Sequence, residues 1–184
     1  MLLDFGYVII AVLWFFLPAL VANIAPVLAA RYRWLPRLAY PLDGYRIITG
    51  ERILGDNKTM RGLIMGLLFG SVTGLLQYFG QVLVPEPIVL LPHPGFAFFW
   101  GAWLALGALL GDALKSFIKR RRYLAPGKSW IPFDQIDVVI GVLLLTQWWQ
   151  PLTLLQIIVA LVVVGIAMYI TSVLGVTTKI KKSL

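Results

Sequence analysis

Two carboxylates three residues apart open one of the apolar stretches of this chain, in Pro132-Phe133-Asp134-Gln135-Ile136-Asp137 before Val138-Val139-Ile140-Gly141. On a helix this spacing places Asp134 and Asp137 on one side. Acids at a helix start have a plain role as caps or dipole partners, which accounts for Asp134. It does not account for Asp137, one turn further into apolar sequence. A second segment reads Gly111-Asp112-Ala113-Leu114-Lys115-Ser116-Phe117-Ile118-Lys119-Arg120. Asp112, Lys115, Ser116 and Lys119 fall at i, i+3, i+4 and i+7, on one helical face. A carboxylate near the end of a membrane span is costly unless paired or metal-bound, so an Asp112–Lys115 ion pair is the plain alternative. If Asp112, Asp134 and Asp137 converge, they offer the hard oxygen ligands that Mg²⁺ shares with substrate phosphates. The third segment is Gly55-Asp56-Asn57-Lys58-Thr59-Met60-Arg61-Gly62. Glycine lets a backbone approach a phosphate, Lys58 and Arg61 neutralise it, and Thr59 either caps the next helix or binds phosphate. The spacing is not that of a P-loop. A purely structural loop fits this segment as well.

The elements that must position these residues follow from composition. The 184 residues are 60% hydrophobic and 13% charged, with a mean hydropathy of +0.87. Soluble domains carry about a quarter charged residues, so lipid is the expected solvent. Five apolar stretches, near 3–30, 62–84, 96–117, 136–150 and 152–175, are expected as membrane helices, against a hydrocarbon core that takes about 20 residues to cross. Pro18 and Pro26 predict a kinked or tilted first helix. That stretch lacks a basic leader region and is too long for a signal peptide. The fourth is short, with only a Trp148–Pro151 turn before the fifth.

Basic residues set the expected orientation. Arg31, Arg33, Arg37, Arg46, Arg52, Lys58 and Arg61 follow the first span; Lys119 to Arg122 and Lys128 follow the third; Lys179, Lys181 and Lys182 close the chain. The 85–95 loop has Glu86 and His93 but no Lys or Arg, and His93 is expected as a plain loop residue. The N-terminus is then outside and the C-terminus inside, with cytoplasmic loops 31–61 and 118–135. The net charge of +8 reads as topology rather than nucleic-acid binding. Arg121 and Arg122 are expected to meet anionic headgroups generally, and Arg120 a substrate phosphate. Asn23 is expected to bond across helices or to satisfy backbone freed by Pro26. No cysteine occurs, which excludes disulfides, thiolate metal sites and a cysteine nucleophile. Residues 1–184 are expected to form a single all-α, integral-membrane catalytic domain.

In order along the chain, these motifs resemble the archaeal CDP-archaeol synthase family. The resemblance rests on Leu17-Pro18, Asn23-Ile24-Ala25-Pro26, Pro41-Leu42-Asp43-Gly44 and the 55–62 segment. It continues through Gly111-Asp112, Ser116 to Arg121, Pro126-Gly127-Lys128-Ser129-Trp130 and Phe133 to Asp137. The later part is similar to a compressed CDP-diacylglycerol synthase signature, with Gln135 where that pattern has Arg. The tail from Ile170 matches least well.

The resemblance implies a multi-pass cell-membrane enzyme with its site facing the cytoplasm. It would join CTP to 2,3-bis-O-(geranylgeranyl)glycerol 1-phosphate, giving CDP-archaeol and pyrophosphate. Catalytic roles are implied for Asp112, Lys115, Lys119, Asp134 and Asp137. Substrate contacts are implied for Asp56, Asn57, Lys58, Thr59, Arg61, Ser116 and Arg120. Mg²⁺, replaceable in principle by Mn²⁺, would sit on Asp112, Asp134 and Asp137. Self-association stays open, and no nucleic-acid partner is implied. A CTP-dependent polyprenol kinase and a small membrane transporter are the rival readings, the latter disfavoured by mid-span regions nearly free of charge.

Overall fold

A computed structural model describes residues 2–84, 88–89, 91–124, 128 and 130–177, with side chains from residue 5 onward. Glu86, Pro126, Gly127, Ser129 and the lysines of the tail lie outside the described residues. Among those described, five α-helices carry the fold: α1 (Leu2–Arg31), α2 (Met60–Gly80), α3 (Pro94–Arg121), α4 (Phe133–Thr146) and α5 (Leu154–Thr177). A small antiparallel hairpin, β1 (Ile47–Ile48) and β2 (Glu51–Arg52), interrupts the α1–α2 connection.

Local sequence explains the boundaries. Thr59 caps α2 by accepting the Gly62 N–H at 3.1 Å. His93, expected as a plain loop residue, caps α3: its Nδ1 accepts the Phe96 N–H at 3.0 Å. Helix α1 runs unbroken through Pro18 and Pro26. Helices α1, α2, α3 and α5 are each long and apolar enough to cross a membrane, so the chain is a multi-pass membrane protein.

Two helix boundaries differ from the expected ones. Helix α4 has 14 residues, about 21 Å at the usual rise, which falls short of a hydrocarbon core of about 30 Å. It ends at Thr146 rather than near 150, because the Gln147 side chain clamps the Leu152 backbone from both sides, accepting its N–H and donating to its carbonyl. The other difference is at the third span. Helix α3 runs on past the expected span end near 117 to Arg121, so Lys119 lies on its helical face as the spacing requires, and Arg120 and Arg121 are helical too.

The helices pack around α3, which touches α1, α2 and α4. Val12 and Phe16 of α1, Leu104 of α3, Val138 and Val142 of α4, and Val164 of α5 share one buried cluster. Asn23 crosses to α5 and donates to Met168 Sδ at 3.5 Å, as one of its expected roles requires. Most consequential is the α3–α4 crossing. A Cβ on Gly111 would collide with the Asp137 carbonyl oxygen, and one on Gly141 with the Gly107 carbonyl oxygen. Small residues allow such backbone contact between membrane helices. Because Asp112 and Asp137 sit at this contact, it brings the polar ends of α3 and α4 together.

Candidate active site

The polar ends form an open cavity of about 130 Å³, lined by residues 54–58 of the α1–α2 connection, one face of α3, and Asp134. The face of α3 expected from spacing, Asp112, Lys115, Ser116 and Lys119, lines it, and Arg120 joins that face. Asp137 lies just behind, 4% exposed.

Lys115 is the hub. Its Nζ is 3.2 Å from Asp112 Oδ1, 3.2 Å from Asp134 Oδ1 and 2.7 Å from Asp137 Oδ2. Lys58 reaches from the loop to Asp112 Oδ2 at 2.5 Å. Lys119 donates to both Asp134 oxygens, at 3.1 and 3.3 Å, and to the Lys128 carbonyl. Three carboxylates thus face three ammonium groups, as buried charges must. Asp134 is not the helix cap that its position suggested. Pro132 occupies the N-cap, while Asp134 accepts from the Trp130 N–H and the two lysines.

Arg120 stands apart. It is 7% exposed, yet its Nε has no hydrogen-bond partner among the described residues. A guanidinium that lines a cavity and keeps a buried Nε–H unmatched is a ready anion contact, since that donor is held out of water. Arg61 Nε is likewise unpartnered, but Arg61 does not line the cavity. Thr59 is occupied in capping α2, and Ser116 Oγ donates to the Asp112 carbonyl at 2.9 Å. Asp56 sits at the rim, exposed and paired with Arg52 at 2.7 Å. Asn57 completes the loop's part of the wall.

The three carboxylates fit Mg²⁺ in kind, being hard oxygen donors gathered around a single cation. As the side chains lie, that cation is the Lys115 ammonium. No group of three Asp, Glu, His or Cys among the described residues forms a ready-made metal cage. A metal would therefore require Lys115 to move off the carboxylates, with phosphate oxygens completing its shell.

Sequence reasoning missed the framework that carries Lys58 here. Arg121, expected to meet headgroups, instead donates to the carbonyls of Ile48, Glu51 and Arg52 and to Thr49 Oγ1, tying the hairpin to α3. Arg122 lies over the Trp130 ring at 5.2 Å. Asp43 accepts from Arg52 and from the N–H groups of Tyr45, Leu54 and Gly55. Burial pushes its carboxyl up, but the Arg52 guanidinium and those N–H groups outweigh it and hold it down at about 2. The signal available was the Pro41-Leu42-Asp43-Gly44 motif itself, with an Arg and a Gly following within the same connection.

The family model described as CarS-like, CDP-archaeol synthase, matches residues 5–182. A CDP-archaeol synthase of Pyrobaculum arsenaticum is 33% identical over 177 residues, 96% of each chain. One from Thermofilum pendens is 38% identical over 161 residues, 85% of this chain and 71% of that one. One from Thermococcus kodakarensis is 40% identical over 151 residues, 82% and 81% of the two chains. A solved structure, described as an intramembrane enzyme for archaeal membrane lipids biosynthesis, superposes with a TM-score of 0.71 at 29% identity, covering 88% of this chain and 92% of that one. With nearly its whole length matched by the family model, this chain belongs to the CDP-archaeol synthase family.

Proposed function

We propose that the cavity joins CTP to 2,3-bis-O-(geranylgeranyl)glycerol 1-phosphate, forming CDP-archaeol and pyrophosphate at the cytoplasmic face of the cell membrane. Family membership makes the chain a nucleotidyltransferase of lipid biosynthesis. Neither a polyprenol kinase nor a transporter finds support among the relatives. The observation that carries the site assignment is the union of two walls. One, residues 54–58, belongs to an extramembrane connection and suits a water-soluble nucleotide. The other is the end of a membrane helix, beside which isoprenoid chains can stay in lipid.

A lipid phosphate oxygen would attack the α-phosphorus of CTP, forming one P–O bond as the bond to the β-phosphate oxygen breaks and pyrophosphate leaves. That phosphate is already ionised near neutral pH, so neither a protein nucleophile nor a strong base is required. Positioning and charge neutralisation dominate, as in phosphoryl transfer generally. Arg120, whose Nε is unmatched by any described residue, is the first contact for incoming phosphate. Lys58, Lys115 and Lys119 follow, exchanging carboxylate partners for phosphate oxygens. Asp112, Asp134 and Asp137, so released, would hold Mg²⁺, which supplies positive charge to the phosphate oxygens. The direct test is purified protein with CTP, Mg²⁺ and the ether-lipid phosphate, products read by mass. CDP-lipid plus pyrophosphate is expected; a phosphorylated lipid plus CDP would point to a kinase instead.

The orientation rests on the basic connections around the cavity, which positive charge retains in the cytoplasm. The short α4 would complete five membrane-embedded helices at that face. In sealed right-side-out vesicles, a cysteine at Lys128 should resist an impermeant thiol reagent, and one at His93 should react. The reverse pattern would remove CTP access and overturn the orientation.

A further inference from the structure

We propose that Asp43 is a positioning residue for nucleotide binding: by gathering the Arg52 side chain and the backbone of residues 54 and 55 it sets Lys58 in the cavity wall, opposite Arg120 of α3. This deepens, and rests on, the reading that the cavity takes CTP. The α1–α2 connection contributes no side chain to either buried apolar cluster, and its Tyr45, Ile47 and Ile48 are exposed. Trp34 stacks on Phe69 and Arg121 ties the hairpin to α3, while the turn that follows the hairpin is held by polar contacts that converge on one carboxylate.

The Asp43 side chain is fully buried, paired with Arg52 Nη2 at 2.5 Å. It also accepts from Arg52 Nε at 3.3 Å and from the N–H groups of Tyr45, Leu54 and Gly55 at 3.2, 3.0 and 3.1 Å. A carboxylate is acceptor-only, and every group around this one is a donor. Asn would turn an NH₂ toward those donors and leave at least one unmatched. The neighbouring residue grips the far end of the same turn: the Leu42 N–H donates to the Lys58 carbonyl at 2.7 Å. Residues 42 and 43 therefore hold both ends of the 54–58 wall.

Two consequences reach the cavity. The Gly55 N–H points to Asp43, so the glycine's use is not a backbone cradle for phosphate. Gly55 has φ +89°, and a Cβ there would lie 4.0 Å from Arg120 Cδ, against the side chain that reaches into the wall. Lys58 leaves the same turn for Asp112 on α3. Loosening the turn frees Lys58 from Asp112 and moves the wall that lies against Arg120, while the buried helix contacts remain.

The test is steady-state kinetics in detergent on Asp43→Asn and Arg52→Gln, with CTP and lipid phosphate varied separately. Asp43→Asn should raise KM for CTP at least tenfold and leave KM for the lipid phosphate within about twofold. Arg52→Gln, which keeps the carboxylate and its backbone donors, should give a smaller rise of the same kind. Hydrogen exchange at residues 54–58 should quicken in both, with the thermal midpoint of the ligand-free protein little changed. If wild type turns over CTP but neither variant raises KM for CTP, the positioning role is overturned and the site reading stands. An equal loss against both substrates with a lowered midpoint, in both variants, also overturns it, since that is merely structural damage. Failure of wild type to use CTP at all would bring down the site reading, and this role with it.

Discussion

Asp112→Asn, Asp134→Asn and Asp137→Asn should each lower CDP-lipid formation by a hundredfold or more, with the protein still extracting and eluting like wild type. Asn keeps the shape of each side chain and removes its charge. If the carboxylates only balanced lysines, Asp112 would lose Lys58 and Lys115, Asp134 would lose Lys115 and Lys119, and Asp137 would lose Lys115. Those losses predict altered stability with turnover that does not depend on added metal. Shared Mg²⁺ ligation predicts a steeper outcome. Removal of one preorganised charge contact at a reacting centre costs about 2.7–4 kcal/mol, a hundred- to thousandfold in rate. The Mg²⁺ requirement should also move to higher concentration in any variant with residual activity. Turnover against Mg²⁺ for the three variants decides between the two. Normal rates with unchanged metal dependence in Asp134→Asn and Asp137→Asn together would sink the metal assignment.

Most of the bundle was legible because apolar length and basic loops report directly on lipid. The i, i+3, i+4, i+7 pattern found the cavity-lining face of α3, since helical spacing alone puts Asp112, Lys115 and Lys119 together. Asp137 was legible for a different reason: capping could not explain an acid one turn into apolar sequence. What escaped was set by tertiary contacts. The end of α4 depends on a Gln147 clamp to the Leu152 backbone. Arg120 was set apart as a phosphate contact and does line the cavity, but nothing in the run Arg120-Arg121-Arg122 says that the second guanidinium grips a hairpin some 70 residues earlier or that the third lies over Trp130. Charge runs report sign, and sign alone does not separate a substrate contact from a strut. Lys115 was expected to neutralise substrate. Its place among all three carboxylates required the Gly111–Gly141 crossing, a backbone contact without a local signature.

The sharpest contrast among the basic residues lies between Lys115, which holds three ion pairs, and Arg120, which has no ion pair among the described residues. Lys115→Met should lose both stability and activity, whereas Arg120→Gln should lose activity alone. Removing the Lys115 ammonium takes a partner from three carboxylates at once; Asp112 keeps Lys58 and Asp134 keeps Lys119, but Asp137, with a side chain 3% exposed, has no other described cation. Breaking a buried pair by deleting one partner costs about 3–5 kcal/mol, because the remaining charge stays buried without compensation. A large fall in thermal midpoint in detergent is therefore expected for Lys115→Met. Mg²⁺ should recover part of it, since the freed carboxylates then have a cation to share. Arg120 leaves no stranded carboxylate among the described residues, so its loss should not weaken the fold. If it is the first phosphate contact, Arg120→Gln should still cut kcat/KM for CTP by about a hundredfold, in line with 2.7–4 kcal/mol for one preorganised donor. Differential scanning fluorimetry with and without Mg²⁺, beside CTP kinetics, separates the two residues. A destabilised Arg120→Gln with normal kcat/KM would reverse their roles, making Arg120 structural. A Lys115→Met protein that melts like wild type would mean that the carboxylates do not depend on that lysine for their charge balance.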